Sequence, residues 1–129
     1  MTTYMLHFYG PYSAELDHAT AVLNGNGVIA FMYGQYGHKM SVTDEYKNIE
    51  SDGLVINQQE IIKDVINRYK NYSAFQLELL TTAIYVYDYT GAKTRQAICD
   101  NVKKIKGEKY SDYEIDRAID EFAYFGISI

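Results

Sequence analysis

The segment Phe8-Tyr9-Gly10-Pro11-Tyr12-Ser13 constrains the fold of this chain more than any other part of it. Glycine leaves the backbone free at the end of an extended run, and proline fixes φ at about −65°. Ser13 can accept a hydrogen bond from the free amides of a first helical turn, which predicts a helix over Ala14–Asn24. The segment therefore predicts a strand over Thr3–Tyr9, a tight turn at Gly10-Pro11 and a helix directly after it. These structural roles explain the motif better than a ligand site does.

A hairpin is predicted after this helix. The residues Asn24-Gly25-Asn26-Gly27 can adopt the positive φ that ends a helix. Two extended runs, Val28–Tyr33 and His38–Thr43, then flank the short turn Gly34-Gln35-Tyr36-Gly37. Residues 4–43 are therefore expected to form a strand–helix–hairpin unit.

Helical spacing of apolar residues dominates the second half of the chain. The polar and mostly acidic run Asp44–Gly53 predicts a surface loop before it. Four positions carry the signal of a helix start, which is a serine or threonine cap or a capping box: Asn57, Ser73, Thr94 and Ser111. The helix after Ser73 is the longest and is predicted to be central, and Gly126 is predicted to close the last helix.

These patterns predict an α+β fold that is mainly α and winged-helix-like, with about five helices and a small antiparallel sheet of two or three strands. A length of 129 residues predicts a single domain over 1–129, made of the 4–43 unit and a helical part over 57–126. The apolar content of 47% is sufficient for a core that needs no disulfide or metal.

Tyrosine is unusually frequent, with 14 Tyr and 5 Phe against no Trp. A tyrosine ring has an apolar body and a polar tip, so it suits the rim of a core or a binding face, and the rim is the commoner use. Aromatic anchors contribute much of the energy of protein interfaces. The tyrosines predicted to contact a partner are those near the first turn and the hairpin, namely Tyr9, Tyr12, Tyr33 and Tyr36.

The charge distribution argues against nucleic-acid binding as the main function. The net charge is −5, and the helix before the hairpin carries Glu15 and Asp17 with no Lys or Arg. Basic residues cluster only later, where a solvated helix face is the default interpretation. If nucleic acid is contacted at all, the residues expected to do so are Lys93, Arg95, Lys103, Lys104 and Lys106.

No motif in the chain indicates catalysis, a cofactor or a metal. His7, His18 and His38 lie in separate predicted elements, and Cys99 is the only cysteine, which does not suit a zinc site. Phosphate-binding glycine loops and a nucleophile elbow are missing from the sequence. We expect no enzymatic activity, no cofactor and no metal. A single cysteine, no long apolar run and no secretory signal predict a cytoplasmic location without membrane contact.

The run Phe8–Ser13, with Glu15-Leu16 and Leu23–Ile29, resembles the Gly-Pro-Tyr core of the Panacea-domain family, which includes SocA-like antitoxins and YwgA-like proteins. The likeness covers residues 4–43, and the order of the later helices, including Leu77-Glu78-Leu79-Leu80, is similar without a sharp motif. It implies a winged-helix-like fold and, for characterised members, a role in toxin–antitoxin systems through protein contacts. It implies no enzyme chemistry.

The chain departs from that family at its start, where members usually carry one or two apolar helices and this sequence has three or four residues. Such a helix would pack against the Leu16/Leu23 face. A later helix or a second copy of the chain is expected to cover that face instead, which favours a homodimer.

The sequence therefore predicts a non-enzymatic protein-interaction module, similar to a toxin–antitoxin antitoxin or adaptor, with a toxin or target protein as its partner. One alternative is a winged-helix DNA-binding transcription regulator. Another is a phage or mobile-element protein that inhibits a host defence system.

Overall fold

The structure, a computed structural model, describes residues 2–35, 37–45 and 56–129. Over these residues the chain forms an α+β fold that is mainly α, as predicted, with five α-helices and two separate two-stranded antiparallel sheets. The elements are β1 (Met5–His7), β2 (Gly10–Tyr12), α1 (Ala14–Gly25), β3 (Ile29–Gly34), β4 (Gly37–Val42), α2 (Ile56–Tyr69), α3 (Ala74–Tyr89), α4 (Arg95–Lys106) and α5 (Asp112–Asp120).

The chain divides into two compact units. The first unit contains the chain up to Tyr4 together with Ser13–Val65, and the second contains Met5–Tyr12 together with Ile66–Ile129. The β1–β2 hairpin therefore belongs to the same unit as α3, α4 and α5.

In the first unit, α1 and the β3–β4 hairpin follow the sequence prediction closely. The Ser13 hydroxyl accepts a hydrogen bond from the Leu16 amide at 3.3 Å, which caps α1, and Gly27 has a φ of +74° just after the helix. Strands β3 and β4 pair in register from Ile29↔Val42 to Gly34↔Gly37. The apolar face predicted for α1, which includes Leu16 and Leu23, is exposed in the structure.

In the second unit, α3 lies at the centre and packs against α4, α5 and β2. Capping boxes begin two of its helices, from Ser73 with Gln76 and from Ser111 with Glu114, because each side chain accepts from the other residue's backbone amide. The side chains of its hydrophobic core come from α3, α4, α5 and the turns that join or follow them: Leu79, Ala83, Val86, Ala92, Ile98, Val102, Tyr110, Ile115, Ile119 and Phe122.

The structure corrects three predicted boundaries. Ile56 is already helical, so Asn57 lies within α2 and does not cap it as predicted. The turn predicted at Gly10-Pro11 lies at Phe8-Tyr9, because Gly10–Tyr12 forms β2 and pairs with Met5–His7. Proline is tolerated there since each strand of a two-stranded sheet has a free edge. The last helix is shorter than predicted: α5 ends at Asp120, and a tighter 3₁₀ turn continues over Glu121–Phe125 before Gly126, with a φ of +74°, closes it.

Two further sequence predictions concern segments that the structure covers only in part. Of the loop predicted over Asp44–Gly53, residues 46–53 lie outside the described residues, and so does Tyr36 in the β3–β4 turn. Among the helices described, none combines the length and the apolar character needed to cross a membrane.

Candidate interaction site at the β1–β2 turn

Two large aromatic side chains project from the turn between β1 and β2. Phe8 is 81% exposed and Tyr9 is 78% exposed, and their rings meet edge to face with centroids 5.0 Å apart. We call this pair the aromatic tip. Aromatic side chains with this much accessible surface can each contribute strongly to binding when a partner buries them.

Gly10 places the hairpin against α3. Its φ is +112°, a conformation that residues with a side chain rarely adopt. A Cβ atom at this position would lie 3.5 Å from Thr81 Oγ1 and 3.6 Å from Glu78 Cγ, which are ordinary contact distances. The backbone conformation, and not lack of space, therefore requires glycine here.

A buried ion-pair network ties the aromatic tip to α3 and α4. The Lys106 ammonium lies 2.8 Å from Glu78 Oε1 and donates a hydrogen bond to the Phe8 carbonyl oxygen at 2.6 Å. The side chains of Lys106 and Glu78 are only 6% and 8% exposed. Lys109 donates to the second oxygen of Glu78 at 2.8 Å. The backbone of the tip is thus held by a charged group inside the second unit.

The charges of this network are mutually stabilised. Burial by itself would raise the pKa of the Glu78 carboxyl, but the hydrogen bonds from Lys106 and Lys109 outweigh burial and the pKa is lowered. Glu78 is therefore ionised at neutral pH. The nearby Tyr110 hydroxyl donates to the Phe75 carbonyl oxygen at 3.3 Å, and its pKa is raised first by burial and then by the charge of Glu78. It stays protonated.

The structure separates the four tyrosines predicted to bind a partner. Tyr9 is in the aromatic tip, and Tyr12 lies half-buried on β2, where its ring stacks on His7 with centroids 4.6 Å apart. Tyr33 is exposed on β3 and belongs to the first unit. Tyr36 lies outside the described residues. Of the four, Tyr9 and Tyr12 therefore share one hairpin.

Three residues of this site were not among the predicted site residues. Phe8 lies inside the motif Phe8–Ser13, but the residues predicted to contact a partner were all tyrosines, so Tyr9 was included and Phe8 was not. The sequence does contain one indication of the ion-pair network. Glu78 is a carboxylate within the apolar run Leu77-Glu78-Leu79-Leu80. Its partner Lys109, 31 residues away, could not be paired with it from spacing.

Four of the five basic residues considered for nucleic-acid contact interact with the second unit's own groups. Lys93 lies over the Tyr87 ring, 3.6 Å from its centroid, and Arg95 pairs with Asp116 and Asp120 at 2.6 Å each. Lys103 pairs with Asp112, and Lys106 is bound to Glu78 and the Phe8 carbonyl. The fifth, Lys104, is exposed and forms no ion pair with a described residue. The free positive charge of this stretch is therefore small.

No group of three metal-ligating side chains occurs within residues 2–35, 37–45 and 56–129. Cys99 is partly buried, and its thiol lies 3.7 Å from Asp112 Oδ1. Burial and the negative charge of Asp112 raise the pKa of this thiol, which lowers its fraction of nucleophilic thiolate.

Comparison with known proteins assigns no family: no protein-family model matches the chain, and no curated protein matches it. The resemblance to the Panacea-domain family therefore stays a prediction that depends on the residues around Gly10-Pro11-Tyr12.

Proposed function

We propose that this chain is a non-enzymatic protein-interaction module that contacts a protein partner through the aromatic tip, Phe8 and Tyr9. The proposal depends on one observation: two highly exposed aromatic side chains project from a turn whose Phe8 carbonyl oxygen accepts a hydrogen bond from the buried Lys106. A preformed aromatic contact loses little conformational entropy on binding, so a larger part of its buried surface contributes to affinity.

A protein partner is favoured over nucleic acid because of charge. The chain has a net charge of −5, and most of the basic side chains considered for phosphate contact are paired with carboxylates or buried. Phosphate binding depends on lysine and arginine that are free to replace counterions. The DNA-binding regulator is therefore the weaker alternative.

The sequence resemblance adds a biological context to the proposal. The order of α1 and the β3–β4 hairpin fits a winged-helix unit, and the Panacea-like motif suggests an antitoxin or adaptor that works in the cytoplasm. A phage-encoded or mobile-element inhibitor of a defence system would use the same kind of protein contact. The gene neighbourhood distinguishes these settings, since an antitoxin lies beside its toxin gene.

The test removes both rings of the aromatic tip in the double variant Phe8→Ala/Tyr9→Ala. Both side chains are exposed, so we expect the melting temperature to change little, while a stoichiometric partner captured from native host lysate at high salt is lost. Tyr89→Ala is the matched control, because Tyr89 is also an exposed tyrosine of the second unit, 57% accessible, and lies at the end of α3.

Capture that is equal for the wild type, the tip variant and the control would contradict the proposal. Capture of nucleic acid that disappears at high salt, with no protein in stoichiometric amount, would favour the regulator instead.

A further inference from the structure

A cavity of about 350 Å³ opens between α3 and α5 in the second unit. The most buried residues of its lining are apolar, since Leu79 and Leu80 are only 4% and 3% exposed. The rings of Phe75 and Tyr113 also line it, and Tyr113 is 73% exposed. The volume lies near the lower end of the range for ligand pockets, which are mostly lined by apolar and aromatic side chains. The cavity therefore suits a small ligand that contains an aromatic ring.

The ionic groups of the lining other than Glu114 already have charged partners in the second unit. Arg68 Nε lies 3.0 Å from a carboxylate oxygen of Glu121. Asp120 pairs with Arg95 at 2.6 Å and with Arg117 at 3.8 Å. An ionised ligand would have to compete with these pairs and would also lose its own hydration, so it would gain little. The cavity therefore favours an uncharged ligand.

Two residues of the lining, Gln76 and Glu114, each belong to a capping box. Gln76 Oε1 accepts from the Ser73 amide at 2.9 Å, and Glu114 Oε2 accepts from the Ser111 amide at 2.8 Å. The position of Glu114 at the N-terminus of α5 stabilises its negative charge, because the free amides of the first turn give that end a partial positive charge. The side-chain nitrogen of Gln76 and Glu114 Oε1 form no hydrogen bond with a described residue. The cavity thus offers one donor and one acceptor beside its aromatic and apolar surface.

We propose that this cavity binds a small, uncharged aromatic compound that carries an amide group. The ring would lie against Phe75 and Tyr113, the amide carbonyl would accept from the Gln76 side chain, and the amide N–H would donate to Glu114 Oε1. An amide presents its acceptor and its donor in one plane, so it matches the two groups that the capping boxes leave open. The aromatic tip does not line this cavity, so the inference goes beyond the proposed function and does not depend on it.

The test compares three probes of nearly the same shape and different charge: neutral benzamide, anionic benzoate and cationic benzamidine. Amide chemical shifts of the ¹⁵N-labelled full chain measure binding. We expect benzamide to shift the amides of Phe75, Gln76, Tyr113 and Glu114, with a dissociation constant of about 1 mM, an affinity that so small a ligand can reach. Benzoate and benzamidine should each bind at least about fivefold more weakly.

Two conservative variants each change one hydrogen-bonding group and keep the helix cap, because glutamate and glutamine both serve at this position of a capping box. Glu114→Gln turns a donor towards the ligand in place of an acceptor and should weaken benzamide binding by about five- to tenfold. Gln76→Glu replaces the donor by a carboxylate and should reverse the preference, so that benzamidine binds more tightly than benzamide. Tyr113→Ala removes one ring and should weaken benzamide binding by about threefold.

Tyr89→Ala is again the control, since Tyr89 does not line the cavity, and it should bind benzamide as the wild type does. Absence of benzamide binding, shifts located elsewhere, benzoate or benzamidine bound to the wild type as tightly as benzamide, or unchanged affinity in Glu114→Gln would overturn the proposal. Toluene bound as tightly as benzamide would overturn the role of the amide group. The Phe8→Ala/Tyr9→Ala variant should bind benzamide normally, so this inference and the proposed function can fail independently.

Discussion

The two units of this chain use their apolar residues in opposite ways. In the second unit, ten buried residues form one continuous core around α3. In the first unit, Ile29 is the one buried apolar side chain among the described residues, while Leu16, Met32 and Val42 are exposed. The two units therefore differ in how much of their apolar surface the protein itself removes from water.

This difference indicates where the stability of the chain resides. Burial of apolar surface contributes about 25 cal/mol per Å², so the second unit supplies most of that free energy. Large exposed apolar surfaces mark interaction sites in many proteins. Leu16 and Leu23 of α1, which were expected to be covered by a later helix or a second copy of the chain, are exposed. The homodimer stays a prediction, and light scattering at high concentration tests it.

The largest expected effect comes from matched truncations in the two units. Phe122→Ala removes a ring that is 1% exposed and should lower the free energy of unfolding by about 3–5 kcal/mol. Val42→Ala removes methyl groups from a side chain that is 62% exposed, and should change the free energy of unfolding by less than about 0.5 kcal/mol. Urea unfolding followed by circular dichroism measures both, and similar losses would contradict the comparison.

The second effect concerns the buried ion pair, for which the first unit offers no counterpart among its described residues. Glu78→Gln leaves the ammonium of Lys106 buried without its carboxylate and should cost about 3 kcal/mol. The double variant Glu78→Met/Lys106→Met should be more stable than the single variant, because the deeply buried ammonium of Lys106 is removed with its partner. The other partner of Glu78, Lys109, has a side chain 36% exposed, so water can solvate its charge. Urea unfolding of the set checks this, and a double variant less stable than Glu78→Gln would contradict it.

The same variant gives a pH test. The pKa of Glu78 is lowered in the folded state, so the ionised carboxylate stabilises the fold. This contribution to stability is fully present above the unfolded pKa of about 4.5, and it is lost as the pH falls through the folded pKa. Wild-type stability should therefore fall on acidification below about pH 4.5, with Glu78 contributing a slope of at most about 1.4 kcal/mol per pH unit. Glu78→Gln should show a shallower fall, and identical pH profiles would contradict the assignment.

The smallest effect compares a glycine from each unit. Gly10→Ala in the second unit forces alanine into a φ of +112° and should cost about 1–2 kcal/mol. Gly25→Ala in the first unit places alanine in the last turn of α1 with no neighbouring atom within 4 Å, and should stabilise the chain by about 0.5 kcal/mol. Thermal unfolding measures both shifts, and two shifts of the same sign would show that backbone conformation does not distinguish the two glycines.

Local signals in the sequence predicted much of the secondary structure. Ser13, Ser73 and Ser111 each cap a helix where expected, because a hydroxyl near free amides acts over three residues of chain. The β3–β4 hairpin was predicted from alternation around a glycine-bounded turn. The turn between β1 and β2 was misplaced by two residues, because glycine and proline signal a break in regular structure without showing which strand pairs across it.

The sequence by itself determined that the fold is α+β and mainly α, and where α1, α3, α4 and α5 begin, since caps and periodicity are properties of neighbouring residues. Only the tertiary structure decided that Glu78 pairs with Lys106, that Lys106 also holds the Phe8 carbonyl, and that α1 keeps its apolar face exposed. The bond from Lys106 to Phe8 joins residues 98 positions apart. Contacts between residues so far apart in the sequence depend on how the helices and strands pack. That packing cannot be predicted from residue spacing or composition.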